Sequence, residues 1–260
     1  MRRLNYFLLD LDGTLILGNR VLEGAVEFIS ELLQMGKKFL ILTNNSSRST
    51  LGYARFLRAK GFPITTKHVF TSGKATAIYL KEKKIKDAYI LGTSSVLREF
   101  LSYGIKYSPR SANLVLTYDT TLNFGKISHA ARILQRGTGI YVASHPDNVC
   151  PVEDGFVPDV GSFIALLKEA TGKEPDFIPG KPSQYFFSRA MEIMGAREEE
   201  TAIIGDRLST DIKTGIDFGI TSILLLTGET SLEDLRSSQI RPDMVFRNLR
   251  ELLAYLRNKK

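Results

Sequence analysis

The stretch Tyr6-Phe7-Leu8-Leu9-Asp10-Leu11-Asp12-Gly13-Thr14-Leu15 decides the fold that we predict for this chain. Its apolar run ends abruptly in a carboxylate, a pattern typical of a fully buried parallel strand whose carboxyl end opens to solvent. Asp10 and Asp12 occupy alternate positions, so an extended chain turns both carboxylates the same way. Such carboxylates repel each other unless a cation neutralises them or one of them holds a proton. We therefore interpret the pair as catalytic rather than as part of a surface turn.

The composition limits the classes of protein to which the chain can belong. It has 260 residues, of which 43% are hydrophobic and 24% charged, enough for one large globular domain or two modest ones. No apolar run approaches the length that spans a membrane. The one cysteine, Cys150, cannot form an intrachain disulfide and is typical of a reducing compartment. We predict a cytoplasmic protein with no membrane partner.

The net charge of +7 raises the question of nucleic-acid binding. Lysine and arginine are spread along the chain, and their densest cluster, at 81–86, is interrupted by Glu82. No basic stripe interleaved with aromatic residues is present. The sequence therefore predicts no nucleic-acid partner, and the mild positive field favours anionic small molecules.

The order of the apolar segments predicts two domains. Predicted strands and helices alternate regularly in the N-terminal part of the chain. This pattern changes near residue 79 and resumes past Pro179. We expect an α/β fold in which residues 1–78 and 179–260 form a doubly wound parallel-sheet core. Residues 79–178 form an inserted α/β domain with helices at 95–103, 126–135 and 161–171. A further helix at 210–218 is expected in the core.

Polar residues follow three of the predicted core strands. Asp10 and Asp12 follow the first, Thr43-Asn44-Asn45 the second, and Asp206 a later one. Lys181 precedes a helix of the same domain. Ligands of open α/β sheets bind beyond the carboxyl ends of the strands, so these groups are expected to converge. Carboxylates suit Mg²⁺, and a lysine with a hydroxyl or amide suits a phosphoryl group.

In this arrangement the sequence resembles the haloacid dehalogenase superfamily. Asp10-Leu-Asp-Gly-Thr-Leu, Thr43-Asn-Asn, Lys181 and Gly205-Asp206-Arg-Leu-Ser-Thr-Asp211 match its four motifs in order. The place of the insert resembles the class with a C2-type cap. Thr43-Asn-Asn-Ser-Ser-Arg-Ser and Gly180-Lys-Pro-Ser narrow the resemblance to the NagD / 4-nitrophenylphosphatase subfamily.

The resemblance implies a Mg²⁺-dependent phosphatase that acts on small phosphomonoesters through an aspartyl-phosphate. It makes Asp10 the nucleophile and Asp12 the general acid and base. It assigns Mg²⁺ to the carboxylates of Asp10 and Asp206 and the carbonyl of Asp12. Phosphate binding is implied for Thr43, Asn44, Asn45 and Lys181, and a supporting role beside the metal for Asp211.

The resemblance also makes the insert a cap that closes over the substrate and forms a homodimer. Its loop at Ser144-His145-Pro-Asp147 is similar to the family's Asn-Pro-Asp loop, with His145 in place of asparagine. We expect His145 and Asp147 to contact the leaving group. Two other residues depart from the family pattern, Asp159 where glycine is usual and Ser209 where an acid is common. These departures bear on substrate preference.

Simpler interpretations stay open for several of these residues. Lys181 is also typical of an exposed lysine at the start of a helix. Asn44 and Asn45 are typical of a helix cap or an Asx turn, and Asp211 is typical of a helix N-terminus. A lone histidine beside proline, as at His145, is usually solvated. The alternative function is a receiver-type signalling module, which accepts phosphate on aspartate without turnover. The large insert and an acid two residues after the nucleophile argue against it.

Overall fold

The structure is a computed structural model that describes residues 4–152 and 155–258. Its strands are β1 (Tyr6–Asp10), β2 (Ile16–Leu17), β3 (Arg20–Val21), β4 (Lys38–Thr43), β5 (Val69–Thr71), β6 (Asp87–Leu91), β7 (Lys106–Tyr107), β8 (Leu114–Leu116), β9 (Tyr141–Ala143), β10 (Val149–Val152), β11 (Gly155–Pro158), β12 (Thr201–Gly205), β13 (Thr221–Leu225) and β14 (Met244–Phe246). Its α-helices are α1 (Ala25–Gln34), α2 (Thr50–Ala59), α3 (Ser72–Glu82), α4 (Ser94–Ser102), α5 (Phe124–Arg136), α6 (Val160–Thr171), α7 (Gln184–Met194), α8 (Lys213–Asp217), α9 (Leu232–Ser237) and α10 (Leu249–Arg257). None of these helices is long and apolar enough to cross a membrane.

The first of two compact units comprises Met1–Thr43, Ala54–Phe70 and Ser188–Lys260. Its six-stranded sheet has the order β14-β13-β12-β1-β4-β5, with β1 paired in parallel to both β4 and β12. In this register Leu8 lies beside Leu40 on one side and Ile203 on the other. The parallel-sheet α/β core predicted from the sequence is confirmed.

Strand β1 forms because its residues can be buried on both faces of the sheet. Phe7, Leu8 and Leu9 are at most 2% exposed, as a strand covered by helices requires. On one face Phe7 meets Phe28 of α1 edge to face, with 6.3 Å between ring centroids. The hairpin of β2 and β3 follows, as Gly18-Asn19 predicts.

The second unit comprises Asn44–Tyr53 and Thr71–Phe187, bounds wider than those of the predicted insert at 79–178. Its four-stranded parallel sheet has the order β7-β6-β8-β9. Leu91 and Leu116 belong to a cluster that includes residues of α5 and α6. Ile90 and Val115 belong to another cluster, with residues of α3 and α4. Adjacent residues of one strand face opposite ways, so both faces of this sheet are covered.

Four local features differ from the sequence-based expectation. The helix predicted at 210–218 is a π-helical turn, Leu208–Ile212, followed by the short α8. Helix α3 and the antiparallel hairpin of β10 and β11 were not predicted. Strand β14, which closes one edge of the six-stranded sheet, was also missed.

Candidate active site

Three carboxylates meet at one edge of the six-stranded sheet. Asp10 is the last residue of β1, Asp206 directly follows β12, and Asp211 lies in the π-helical turn. One carboxylate oxygen from each lies within 4.8 Å of those of the other two, and all three residues are buried. Since β1 and β12 are parallel neighbours, their carboxyl ends meet, as the sequence predicts for Asp10 and Asp206.

The π-helical turn brings Asp211 into this cluster. A π-turn widens the backbone ring relative to an α-helix, and such turns are frequent at functional sites. A Cβ atom at Gly205 would overlap the Asp211 side chain, so only glycine lets that carboxyl group approach the strand end. Asp211 therefore lies closer to the other two acids than a residue at the start of an ordinary helix is expected to lie.

The surroundings of Asp206 show that its charged form is destabilised in this cluster. Its Oδ2 accepts a hydrogen bond from the Glu229 amide at 2.6 Å. Its Oδ1 is buried and has no hydrogen-bond partner among the described residues. Burial, followed by the charges of Asp10 and Asp211, raises the pKa of Asp206 to about 8. A buried, repelling acid with an unsatisfied oxygen is what a bound cation would stabilise.

Two glycines enclose the Asp206 carboxylate. A Cβ atom at either Gly13 or Gly228 would overlap it, and Gly13 has a φ of +89°, which favours glycine. Thr227 fixes this contact by donating its hydroxyl hydrogen bond to the Gly13 carbonyl at 2.5 Å. The three carboxylates, the unsatisfied oxygen and this close backbone fit a hard cation such as Mg²⁺.

We expect Gly228→Ala to damage the site with little harm to the remaining fold. The added methyl group displaces the Asp206 carboxylate, so activity should fall by roughly 100-fold, as for misplaced catalytic groups. The free energy of unfolding should fall by about 1–3 kcal/mol, as in other overpacked sites. Hydrolysis of 4-nitrophenyl phosphate, the activity that the resemblance implies, and thermal melts provide the measurement. Gly125→Ala in α5 is the matched control, since a Cβ there meets only the Asn123 side chain, at 3.3 Å. Full activity in Gly228→Ala would contradict the importance of this contact.

Asp12 lies apart from the three-acid cluster. Its Oδ2 accepts a hydrogen bond from the Thr43 hydroxyl at 3.4 Å, at the end of the neighbouring strand β4. The chain bends after Asp10, and Asp12 forms an isolated bridge with Ile16. The hydroxyl of Thr43 thus supports Asp12, and phosphate binding by Thr43 remains a prediction.

In the second unit, Asn44 is joined to the main chain of Lys181. Asn44 Oδ1 accepts a hydrogen bond from the Lys181 amide at 2.8 Å, and its Nδ2 donates to the Lys181 carbonyl at 3.0 Å. Nδ2 also donates to Asp147 Oδ2 at 3.0 Å. The Asn44 side chain is therefore occupied by the protein itself. Lys181 is only 6% exposed, so it is not the exposed helix-start lysine of the simpler interpretation.

The side chain of Asn45 forms an Asx turn. Its Oδ1 accepts hydrogen bonds from the amide and the hydroxyl of Ser47, at 3.1 and 2.7 Å. Its Nδ2 points to Cys150 Sγ at 3.8 Å. These contacts match the simpler interpretation of this residue, and phosphate binding by Asn45 stays a prediction.

His145 is not the solvated loop residue that its sequence context indicates. It is 0% exposed, because the loop after β9 folds back under the start of α6. Its Nδ1 lies 3.5 Å from Asp147 Oδ2 and its Nε2 lies 3.5 Å from Asp159 Oδ1. Contact between His145 and a substrate remains a prediction that its burial does not favour.

The two carboxylates beside His145 differ electrostatically. Burial alone would raise the pKa of Asp147, but the neighbouring His145 ring, the Asn44 amide and the charge of Lys181 lower it overall. Burial raises the pKa of Asp159, against the charge of His145 and the hydrogen bond from the Val160 amide. Asp147 is therefore held as an anion, whereas Asp159 retains a proton more readily.

Comparison with known proteins decides the family. A family model of haloacid dehalogenase-like hydrolases matches residues 7–106, and a second model of HAD-like hydrolases matches residues 178–252. The 5'-nucleotidase YutF of Bacillus subtilis is 31% identical over 98% of this chain and 100% of its own length. The chain belongs to the haloacid dehalogenase superfamily.

Other superfamily members narrow the assignment. An acid sugar phosphatase of Staphylococcus aureus is 32% identical over 98% of this chain and 99% of its own length. The solved 4-nitrophenylphosphatase of Thermotoga maritima is 39% identical, with a TM-score of 0.91 over 96% of this chain and 97% of that one. The resemblance to the NagD / 4-nitrophenylphosphatase subfamily is confirmed.

Sequence reasoning missed two residues of these sites and the partner of a third. Gly228 belongs to none of the sequence motifs, and its role appears only in the folded chain, where it lies against the Asp206 carboxylate. The Glu229 amide is a backbone donor, which the side-chain sequence cannot indicate. Asp159 was noticed as a departure from the superfamily pattern, but its contact with His145 depends on the fold.

Proposed function

We propose that this chain is a Mg²⁺-dependent phosphatase that hydrolyses small phosphomonoesters through an aspartyl-phosphate on Asp10. The phosphatase class is supported by relatives named as a nucleotidase, a sugar phosphatase and a 4-nitrophenylphosphatase. The single observation that carries the mechanism is the buried cluster of Asp10, Asp206 and Asp211. A receiver-type module, the alternative from the sequence, is not among these relatives.

The residues present suit a divalent cation. The carboxylates of Asp10 and Asp206 would hold Mg²⁺ with the backbone carbonyl of Asp12, and Asp211 would support the site from beside Asp206. When bound, the ion neutralises the acids and offsets the charge of the phosphoryl group. This assignment is supported by the unsatisfied Oδ1 of Asp206.

The chemistry then follows from two carboxylates in different surroundings. A carboxylate oxygen of Asp10 attacks phosphorus, and the bond between phosphorus and the ester oxygen breaks. Asp12 gives its proton to the departing oxygen, which leaves as an alcohol. Asp12 next takes a proton from water, whose oxygen attacks phosphorus and releases inorganic phosphate and free Asp10. The Thr43 hydroxyl, at 3.4 Å from Asp12 Oδ2, orients the acid.

Lys181 is assigned to phosphate binding by its sequence motif. An ammonium group offsets the charge of the phosphoryl oxygens, and its hold on the phosphate strengthens in a site that excludes water. The Asn44 amide, which closes on both main-chain groups of Lys181, gives this lysine a fixed backbone. Asn44 contributes to the site by positioning Lys181, in addition to the phosphate contact that the motif predicts.

The substrate class that we infer is small phosphorylated metabolites, including sugar and nucleotide phosphates, with turnover in the cytoplasm. The relatives act, by their names, on chemically different esters, so the shared feature is the phosphate. We infer that the second unit, which the sequence predicts to be a cap, selects the leaving group.

Hydrolysis of 4-nitrophenyl phosphate tests the proposal directly. We expect turnover with Mg²⁺ and loss of it with EDTA, restored when excess Mg²⁺ is added back. A panel of sugar, nucleotide and glycerol phosphates, assayed by phosphate release, then ranks the substrates. Undiminished turnover after exhaustive chelation would contradict the metal assignment. Stable phosphorylation without any phosphate release would favour the receiver-type alternative.

A further inference from the structure

Two residues from different elements meet in the fold of the second unit. His145 stands in the loop after β9, and Asp159 stands at the N-cap of α6. The His145 Nε2 and Asp159 Oδ1 atoms lie 3.5 Å apart. The two residues form one contact between the loop and the start of the helix.

Both side chains of this contact are buried, so each of them needs a polar neighbour. The side chains of His145 and Asp159 are 0% and 4% exposed. Neither ring nitrogen of His145 has a hydrogen-bond partner among residues 4–152 and 155–258, so the two carboxylates at 3.5 Å are its nearest polar neighbours. A buried polar group without a partner is destabilising. The ring therefore depends on the two carboxylates on either side of it. Asp159 has the Val160 amide, which donates to its Oδ1 at 2.7 Å, and the ring as a further polar neighbour.

The contact continues toward Lys181. On its other side the ring lies 3.5 Å from Asp147 Oδ2, the atom that accepts the hydrogen bond of Asn44. Asn44 in turn is bonded to both main-chain groups of Lys181. The Gly180 amide donates to the Ser144 carbonyl at 2.9 Å, and a Cβ at Gly180 would overlap that carbonyl. The loop with His145 is thus packed directly against the Gly180–Lys181 segment.

We propose that His145 and Asp159 are a positioning pair, which holds the Asp147 carboxylate against Asn44 and so fixes the Lys181 main chain. This inference rests on the proposed function, in which the Lys181 ammonium binds phosphate. Asp159 orients the ring from one side, and the ring presents its Nδ1 edge to Asp147 on the other. Among the described residues, Asp147 interacts electrostatically with both members of the pair, Tyr118 interacts with Asp159, and Lys181 interacts with Asp147. The pair acts on phosphate binding and contacts no reacting atom.

A double-mutant cycle tests the pair. His145→Asn leaves Asp159 buried with the Val160 amide but without the ring, and Asp159→Gly removes the acid on the Nε2 side of the ring. Each single variant should weaken competitive inhibition by inorganic phosphate roughly tenfold, the effect of one charge-assisted contact, with kcat changed by less than about threefold. In the double variant an asparagine can donate to Asp147 and no buried acid is left at position 159. Its inhibition constant should return to within about threefold of the starting protein.

Three further variants separate positioning from general damage. Asp159→Ser keeps an N-cap acceptor for α6 but is too short to reach the ring, so it should behave like Asp159→Gly. If Asp159→Ser binds phosphate normally, the effect of Asp159→Gly came from the helix cap and the proposal is overturned. His129→Asn, the same change at a half-buried position of α5 beside Pro109, should leave phosphate inhibition unchanged. Thermal melts confirm that each variant is folded.

The third variant, Lys181→Gln, distinguishes failure of this inference from failure of the proposed function. If Lys181→Gln weakens phosphate inhibition and the two single variants do not, the positioning pair alone is overturned. The positioning pair alone is also overturned if the loss of phosphate inhibition in the double variant equals the sum of the losses in the two single variants. If Lys181→Gln also leaves phosphate inhibition unchanged, the phosphate role of Lys181 and the positioning pair are both overturned.

Discussion

Asp10→Asn is expected to abolish turnover, by roughly 10⁴-fold or more, while the protein stays folded. The amide is a poor nucleophile and cannot form the acyl-phosphate, but it has nearly the size of the carboxylate that it replaces at the end of β1. Removing one of three crowded acids also relieves repulsion, so the melting temperature should not fall. Steady-state hydrolysis of 4-nitrophenyl phosphate and a thermal melt provide the measurement.

Asp12→Asn is the matched comparison for this prediction. 4-Nitrophenolate leaves without help from an acid, so the phosphoenzyme should still form, and its hydrolysis should slow by about 10²–10⁴-fold. A burst of one 4-nitrophenolate per active site would then precede slow turnover, and acid quenching would trap the phosphorylated chain. Asp10→Asn should show no burst. Near-normal turnover by a folded Asp10→Asn protein would rule out the nucleophile assignment.

Asp206→Asn is expected to have opposite effects on stability and on metal binding. Asp206 is 2% exposed, and its carboxylate is opposed by the charges of Asp10 and Asp211. Asparagine removes that repulsion and can still accept the Glu229 hydrogen bond, so the variant should be more stable than the unchanged protein in EDTA. Each kcal/mol gained in the free energy of unfolding should raise the melting temperature by about 2–4 °C. Saturating Mg²⁺ should raise the melting temperature of the unchanged protein and have little effect on the variant. The Mg²⁺ concentration for half-maximal activity should increase at least about tenfold.

Asp217→Asn is the control for the Asp206 experiment. This exposed acid pairs with Lys213 on α8, so its loss makes the same chemical change away from the cluster. We expect no gain in metal-free stability and an unaltered Mg²⁺ titration. If Asp206→Asn gives the same result as Asp217→Asn, Asp206 does not hold the metal.

The sequence predicted those parts of the fold in which burial determines the residue pattern. Strands β1, β4 and β12 are nearly continuous apolar runs because both of their faces are covered, and such runs stand out in a sequence. The hairpin of β10 and β11 was missed because it is mostly exposed and contains Pro151 and Pro158, which argue against a strand. Its pairing is set by the surrounding chain rather than by its own pattern.

Within the site, the sequence identified acids at strand ends but not the contacts that tune them. Asp10 and Asp206 were predictable because parallel neighbours end at the same edge. The approach of Asp211 depends on a π-helical turn, and the apolar spacing there resembles that of an ordinary helix. The His145–Asp159 contact joins two loops, whose conformations depend on packing across the unit. No periodic pattern records such a contact.

The pairing of β1 with both β4 and β12 has a consequence for biosynthesis. β4 follows β1 closely in the chain, whereas β12 lies beyond the whole second unit, so the two edges of β1 become paired at very different times. The ribosome must add all of the intervening residues before the second edge is covered, and at about 5–20 residues per second this takes many seconds. During that interval a buried apolar strand presents an open edge, which invites pairing with another nascent chain. The segment that contains β12 therefore has two roles: it covers the open edge of β1, which prevents pairing with another chain, and it places Asp206 beside Asp10.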